Sequence, residues 1–517
     1  MLSSLSLSSS SSSSSEKPPP LLMKEETEIV VEVEILLKRE DLISSTYGGN
    51  KVRTLQHQLA VCEAKRDNYD NANDKESGNN TNPFRQLVSI GSGGSNQIVA
   101  TVVHSRKLGW DNKYSTSTST STSNNTNNNN SNTNCNASKN TIVPFWCEED
   151  QPDNDNTLNM LSVFSFPNIC FKYDWGMKKV GFFKIIRALY KAYTQTEFIP
   201  MMLGGNCPTG VLGQVSGIIE LAEQINDGTH SIPTPDRIYV PIGSSCTVSG
   251  LILGVCLVRH LGTFGTAFNN KDFKIVACNV HPGIAFLDKT IQLHTNPLLR
   301  LVPLTITHSV LGACQLLQEL GGPDLASDCR EFIRNNVEMR SNTKVIGSYG
   351  GHSKLTRQVA NLYDEKGIVT DYVTGKKDEQ GLWICGHFVA KALQPLLKDL
   401  ELERIKTMST TKTRNMKQEE ASNNDHNKGP SSLSSLSLPK YMLWMTKSAV
   451  QPLGNIDEWS TFQEKSSDAV KKWANEGTAE SKLRPCAIKV DVLDDNNDND
   501  NNDGKHTEYR SVMTKIL

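Results

Sequence analysis

The 12 cysteines of this chain form no C-x-x-C pair, and the chain is too long and too rich in core-forming stretches to resemble a disulfide-stapled domain. Reduced thiols in an intracellular compartment follow from that spacing. There is no long apolar run either. The longest, near Leu251 to Val258, is far short of a bilayer span, so the sequence predicts no membrane-spanning helix and no membrane partner. Charge of one sign is also missing: Lys and Arg total 54 against 56 Asp and Glu, a net charge of -2. With no basic stripe interleaved with aromatics, nucleic-acid binding has no support. The hydrophobic fraction is only 37%.

Low-complexity tracts account for that small fraction. Ser8 to Ser15, Asn124 to Asn134, Ser422 to Ser437 and the run Asp494 to Asp503 are almost wholly polar. Such tracts bury too little apolar surface to offset chain entropy and are expected to lack structure. The Ser-rich start meets Glu16, Glu25, Glu26 and Glu28 with no Arg before Lys17, a poor secretory signal. The cytoplasm is the expected location, with an organelle left open.

What remains alternates strands and helices. Glu28 to Leu37 reads as a strand feeding Lys38-Arg39-Glu40-Asp41 and then Tyr47-Gly48-Gly49-Asn50-Lys51-Val52-Arg53, with Leu55, Leu59 and Cys62 at helical spacing behind it. The polar stretch from Asp67 to Asn82 is expected to loop out. Two glycines allow a tight turn, and a lysine at the start of an amphipathic helix can be partly buried and reactive. Alone, a G-G-x-K segment is more often a solvated turn.

Two further segments change those odds. Leu87-Val88-Ser89-Ile90-Gly91 reads as a buried strand, followed by Ser92-Gly93-Gly94-Ser95-Asn96-Gln97 and a helix from Ile98 to Leu108. That order brings backbone N–H groups and a positive helix end to one point, which suits a carboxylate or phosphate; an ordinary turn capped by Ser95 is the alternative. Arg237 to Ile242 reads as a strand running into Gly243-Ser244-Ser245-Cys246-Thr247-Val248-Ser249-Gly250 and an apolar helix from Leu251 to Leu261. Such a loop can wrap a phosphate without a lysine. It matches neither G-x-x-x-x-G-K-[ST] nor G-x-G-x-x-G, which argues against a nucleoside triphosphate or a dinucleotide. Other strands are expected at Thr141 to Trp146, Lys274 to Val280 and Tyr441 to Met445, which ends at Thr446. Helices are expected at Lys178 to Tyr193 and after Leu203-Gly204-Gly205-Asn206, and Gly367 to Lys376 reads as turn-rich. The alternation predicts an α/β fold with parallel sheets.

The succession K-R-E-D, G-G-N-K-x-R, L-V-S-I-G with S-N-Q, and G-S-x-x-T-x-x-G-L resembles the 1-aminocyclopropane-1-carboxylate deaminase and D-cysteine desulfhydrase family of fold-type II pyridoxal phosphate enzymes, over roughly Glu34 to Leu453 without the inserts. The resemblance implies two open parallel-type sheets flanked by helices and pyridoxal 5'-phosphate as cofactor. Lys51 would be the Schiff-base lysine and the base at Cα. Ser95, Asn96 and Gln97 would hold the substrate carboxylate, with Ser95 and Tyr349 also catalytic. Asn50, Asn96, Gly243, Ser244, Ser245, Cys246, Thr247 and Thr446 would bind the cofactor, Thr446 near the pyridine nitrogen; no metal is implied.

It also implies a layout. Residues 1–27 form an unstructured leader, 28–53 with 200–490 a large cofactor domain (insert 405–438), 54–199 a smaller substrate-side domain (insert 111–140), and 491–517 an acidic tail. A homodimer and a small amino-acid substrate follow from the family. Its deaminase members carry D-P-V-Y-E-G-K, whereas this chain has Asp371-Tyr372-Val373-Thr374-Gly375-Lys376, closer to the Y-T-G-K of desulfhydrase-like members. Cys246 stands where the family has glycine, and Lys447-Ser448 where it has Gly-Gly. The best fit is α,β-elimination of D-cysteine to pyruvate, sulfide and ammonia. Cyclopropane deamination to 2-oxobutanoate and cofactor binding without turnover are the alternatives.

Overall fold

The computed structural model describes residues 2–7, 33–73, 86–91, 95–108, 140–144, 169–171, 198–227, 232–265, 267–281, 301–347, 352–366, 368–371, 377–378, 382–422, 439–448, 450–453 and 486–489, with isolated positions between 159 and 194. The expected helix over Lys178 to Tyr193 falls mostly outside them. So do the tracts 111–139, 423–438 and 491–517, Ser92 to Gly94, Tyr349, and Thr374 to Lys376.

The larger sheet is built on strands β2 (Val33–Arg39), β7 (Arg237–Ile242), β8 (Lys274–Asn279), β9 (Val337–Arg340) and β12 (Tyr441–Met445). They run parallel in the order β2-β12-β7-β8-β9, with Tyr441 opposite both Ile35 and Arg237. β7 and β12 are apolar and buried along almost their whole length, as strands covered on both faces must be. Side chains alternate between the faces. Leu36, Ile238, Val240, Ile275, Met442 and Trp444 point into one core, with helices α3 (Pro208–Asn226), α4 (Cys246–Leu261), α5 (Leu301–Glu319) and α6 (Ala326–Asn336). Ile35, Leu37, Tyr239, Val276, Tyr441 and Leu443 point into the other, against α7 (Lys354–Lys366) and α8 (Val389–Ser422).

A second sheet is wholly parallel, with β3 (Gln86–Gly91), β4 (Asn140–Pro144), β5 (Ile169–Phe171) and β6 (Phe198–Met201) in the order β5-β4-β3-β6. Helices α1 (Asn50–Asn73) and α2 (Asn96–Lys107) accompany it. Two short strands, β13 (Val450–Leu453) and β14 (Cys486–Lys489), pair apart from both sheets. The expected α/β class with helix-flanked sheets is therefore what the chain adopts.

Several local expectations need correction. Leu2–Leu7, within the leader expected to be unstructured, forms strand β1, which pairs antiparallel with β2 over six residues and on its other edge with β10 (Ile368–Asp371). Ladder hydrogen bonds come from the backbone, so a serine-rich segment can fill an open sheet edge. β10 lies in the stretch read as turns, and it pairs on to β11 (Lys377–Asp378). The first strand runs on to Arg39, two residues past the expected end at Leu37, and the expected start from Glu28 to Glu32 lies outside the described residues. α1 continues through Asn73, past the Asp67 at which a loop was expected, and α8 continues through Ser422, beyond the expected insert start at 405. α4 begins at Cys246 rather than Leu251, so part of the glycine-serine loop is the first turn of a helix.

Candidate functional site

Every group singled out in the sequence and described here follows the carboxyl end of a parallel strand: Lys51 after β2, Ser95 after β3, Ser244 after β7 and Thr446 after β12. In open parallel sheets that edge is where ligands bind.

Lys51 sits in the first turn of α1. Its Nζ donates to the Gly204 carbonyl at 2.7 Å. The residue is half-buried by area, but its amine is enclosed, and burial pulls the amine below its ordinary value of 10.5, with a smaller opposing effect from the Cys246 thiol. Desolvation disfavours the charged form of a lysine, so the environment moves this amine toward the neutral, nucleophilic state.

The turn before it is fixed by contacts that exclude a side chain. Gly49 has φ +88°, and a Cβ there would lie 2.8 Å from the Thr446 carbonyl oxygen. The Gly49 N–H donates to Glu40 O at 2.7 Å and the Asn50 N–H to Thr446 O at 3.0 Å. Asn50 Nδ2 reaches Thr247 Oγ1 at 2.7 Å, joining the lysine turn to α4. The charged quartet acts from beneath. Buried Arg53 donates to Glu40 at 2.6 and 2.9 Å, to Glu220 at 2.5 Å and to Ser216 at 3.0 Å. Lys38 closes on the other Glu220 oxygen at 2.5 Å, and Arg39 pairs with Asp41 at 2.8 Å. Burial would raise the Glu220 carboxyl, but the Lys38 charge and the hydrogen bonds from Lys38 and Arg53 outweigh it and hold it down to about 2.

Ser245 caps the phosphate-type loop in the left-handed region (φ 70°), the bend that turns β7 into α4. Its Oγ lies 3.1 Å from Thr305 Oγ1, and Ser244 Oγ donates to Gly204 O at 3.0 Å. Gly243 has its nearest neighbour, a Phe388 ring carbon, 3.6 Å from where a Cβ would be. The Cys246 thiol turns back onto Gly205 O at 3.3 Å and Thr54 Oγ1 at 3.8 Å. Burial raises it to about 11, Lys51 pulling the other way.

Ser95 occupies the N-cap of α2, but its side chain makes no capping bond, so the reading of this turn as merely serine-capped does not hold. Ile98 and Val99 N–H return to Ser95 O. The N–H groups of Asn96 and Gln97, one step earlier, have no intrahelical acceptor. Asn96 Oδ1 accepts from Asn159 Nδ2 at 2.7 Å and from the Tyr47 hydroxyl at 3.4 Å. Gln97 is 2% exposed, and neither polar atom of its side chain has a partner among the described residues. Thr446 is 4% exposed, and its hydroxyl likewise has no partner among them.

The residues that tie these parts together, Gly204 and Gly205, carried no role in the sequence reading. Gly204 O receives Lys51 and Ser244, and Gly205 O receives Gln58 Nε2 at 3.0 Å and the Cys246 thiol. Gly204-Gly205-Asn206 repeats Gly48-Gly49-Asn50, and that repeated tripeptide is the signal that could have found them. Glu220, which joins Lys38 to Arg53, has no sequence signal.

No protein-family model matches the chain, and no curated protein does. Among solved structures, an ACC deaminase homologue aligns at TM-score 0.43 and 18% identity, covering 80% of this chain and 84% of its own. The processed form of threonine deaminase isoform 2 from Solanum lycopersicum aligns at 0.38 and 9%, covering 83% and 82%. Diaminopropionate ammonia lyase from Escherichia coli, in apo form, aligns at 0.25 and 12%, covering 60% and 77%. At such scores the likeness carries no weight for function, which rests on the residues above.

Proposed function

We propose that the chain is a pyridoxal phosphate-dependent lyase acting on a small amino acid, with D-cysteine as the substrate that fits best. One observation carries this: the enclosed Lys51 amine and the Ser244 hydroxyl just ahead of α4 share the Gly204 carbonyl, with the hydroxyl of buried Thr446, unpartnered among the described residues, at the strand end that holds Asn50. Those features suit the cofactor. The loop into α4 and its first turn would supply outward N–H groups and the Ser244 and Thr247 hydroxyls for a phosphate. Cys246, the side chain that could fill the cradle, is folded back on Gly205. A hydroxyl at Thr446 suits a pyridine nitrogen that stays unprotonated. When bound, the cofactor supplies an electron sink for the carbon next to the amine.

The chain's own groups do the rest. Lys51 would hold the cofactor, and its amine, when free, would take the Cα proton. Ser95 Oγ and the Asn96 and Gln97 N–H groups hold the carboxylate at the positive end of α2, with Asn96 extending toward the cofactor. Tyr349, outside the described residues, keeps the catalytic role that the resemblance gave it. Residues 28–53 and 200–490 form the cofactor domain and 54–199 the substrate side in this reading, and two chains pair as a homodimer. Overall, D-cysteine and water give pyruvate, sulfide and ammonia.

The test is reconstitution of the full chain with pyridoxal phosphate, borohydride reduction and peptide mapping, followed by a panel of D- and L-amino acids scored for keto acid and sulfide. Label on Lys51, with pyruvate and sulfide from D-cysteine that vanish in Lys51→Ala, is the expected result. More 2-oxobutanoate from the cyclopropane amino acid than pyruvate from D-cysteine would reverse the substrate order. Labelled Lys51 with no keto acid from any amino acid would leave a binding protein, and label elsewhere would remove the reading altogether.

A further inference from the structure

Three thiols from three helices meet in the layer that backs one face of the larger sheet. Cys256 of α4, Cys314 of α5 and Cys329 of α6 are 4, 2 and 0% exposed and belong to one apolar core. The Cys314 and Cys329 sulfurs lie 3.8 Å apart, on either side of the turn 320–325 that joins α5 to α6. Cys256 borders Cys329 as well and, with Cys314 and burial, raises that thiol. Cys329 can hydrogen-bond a thiolate at Cys314, an effect that outweighs burial and draws Cys314 below its ordinary value of 9.0. No group of three or more His, Cys, Asp or Glu side chains among the described residues is placed to hold a metal ion, which leaves the cluster with the chemistry of sulfur itself.

A disulfide holds its sulfurs about 2.05 Å apart, so this pair has roughly 1.8 Å to close, a movement on the scale of side-chain rotation. The turn beside it is open to water. Residues 318–321 are exposed, Leu320 at 71%, and Gly321, at φ +88°, has nothing within 4 Å of where a Cβ would stand. Both cysteines stand within two helical turns of it, and local opening at such a helix junction admits an oxidant as small as peroxide. The other end of α5 reaches the candidate site: Thr305 Oγ1 lies 3.1 Å from Ser245 Oγ, and Ile306 O accepts from Ser249 Oγ at 3.5 Å. One helix thus carries the thiol pair near its end and steadies the loop into α4 near its start.

We propose that Cys314 and Cys329 are a redox pair, reduced at rest and joined by a peroxide into a disulfide that staples α5 to α6. The Cys314 thiolate takes one oxygen from hydrogen peroxide; the O–O bond breaks, and the hydroxide released takes up the Cys314 proton. Cys329 then attacks the sulfenic sulfur, the S–S bond forms, the S–O bond breaks, and hydroxide leaves with the Cys329 proton as water. Two thiols and one peroxide give one disulfide and two waters, the two electrons passing to the peroxide. A thiol reductant reverses the step by exchange. The pair goes beyond the function proposed for Lys51 and does not depend on it.

The experiment treats the native full chain with hydrogen peroxide, blocks the remaining thiols in denaturant and maps disulfides by non-reducing peptide mass spectrometry. The expected result is a linked Cys314–Cys329 peptide that disappears on treatment with dithiothreitol. Closing a loop of 15 residues should also raise the melting temperature by about 5 °C, measured in Cys207→Ser so that the half-buried thiol plays no part. The rise is absent in Cys314→Ala and in Cys329→Ala; should those variants fail to fold, the link in the parent chain and its reversal decide the matter. Oxidation of Cys207 in the parent while Cys314 and Cys329 stay thiols would overturn the proposal. So would a link from Cys329 to Cys256 instead, a link that forms only in urea, or a linked chain that melts no higher than the reduced one.

Discussion

Arg53 grips Glu40 with two nitrogens, at 2.6 and 2.9 Å, across the thirteen residues that contain the Lys51 turn. Both partners are buried, Glu40 at 1% and Arg53 at 7% exposure. The pair closes the segment from the end of β2 to the first turn of α1 into a rigid loop, so the lysine is aimed by a clamp that never touches it.

Removing one partner leaves the other charge buried, at a cost of about 3–5 kcal/mol. Arg53→Met should therefore lower unfolding stability by roughly that amount, read from urea midpoints at constant slope, and Glu40→Gln by less, because Arg53 keeps Glu220. The double substitution Glu40→Met with Arg53→Met should lose less than the two single losses added. Simple additivity would mean that the two residues act independently.

Glu220 gives the clamp a pH dependence. Its carboxyl is held at about 2 against an ordinary 4.5. Between those values the unfolded chain binds the extra proton, so stability rises with pH. The contribution is complete above 4.5 and is lost as pH falls toward 2. Glu220→Gln should accordingly cost most above pH 4.5 and converge with the parent in acid, as chemical denaturation across pH 2 to 7 would show. A gap that widened on acidification would contradict this assignment.

The glycines offer a steric contrast. A Cβ on Gly49 meets backbone oxygen at 2.8 Å and must also adopt φ +88°, whereas one on Gly243 meets nothing closer than a ring carbon at 3.6 Å. The backbone conformation alone costs an L-residue about 1–2 kcal/mol. Gly49→Ala should lose at least that much stability together with cofactor uptake at Lys51, while Gly243→Ala should fold and melt close to the parent. If both melt alike, loop permissiveness rather than packing governs the turn.

What could be read from the sequence was what is local. Lys51, Ser95 to Gln97 and Ser244 to Thr247 stand out because a strand, a small-residue turn and a helix start lie within about ten residues of one another. Thr446 was singled out only through the family resemblance, at the end of a strand that is ordinary by itself. Gly204 escaped because its meaning lies in Lys51, 153 residues away, and Glu220 escaped because Lys38 is 182 residues away. Nothing in a helical Glu announces a partner at that distance. The Leu2–Leu7 strand was illegible for another reason: its composition is that of a disordered tract, and only the open edges of β2 and β10 give it a place.

Thiol reactivity should follow the same geography. Burial pushes Cys246 up to about 11 and Cys62 to about 12, so neither is a thiolate at neutral pH. Among the cysteines whose side chains are described, Cys207 is the one that is not fully buried. Brief alkylation of the native chain, mapped by mass spectrometry, should mark Cys207 well before Cys62, Cys246, Cys256, Cys278, Cys314, Cys329 or Cys385. Early loss of Cys246 would show that the helix start opens in solution.

Lys51 itself should be a burden on the fold. Burial lowers its pKa below 10.5, so the folded state disfavours the ammonium that the unfolded chain keeps. Below the lowered value both states are charged and the folded one bears the whole desolvation cost. As pH climbs from there to 10.5 the folded chain sheds its proton first, and the cost is relieved. Lys51→Met deletes the charge and leaves the Gly204 carbonyl with its Ser244 donor. The variant should thus melt above the cofactor-free parent at neutral pH, and the advantage should shrink as pH approaches 10.5. Melting curves of parent and variant from pH 6 to 10.5 provide the check. A parent more stable than Lys51→Met throughout would show that the amine is held for structure, not in readiness for a carbonyl group.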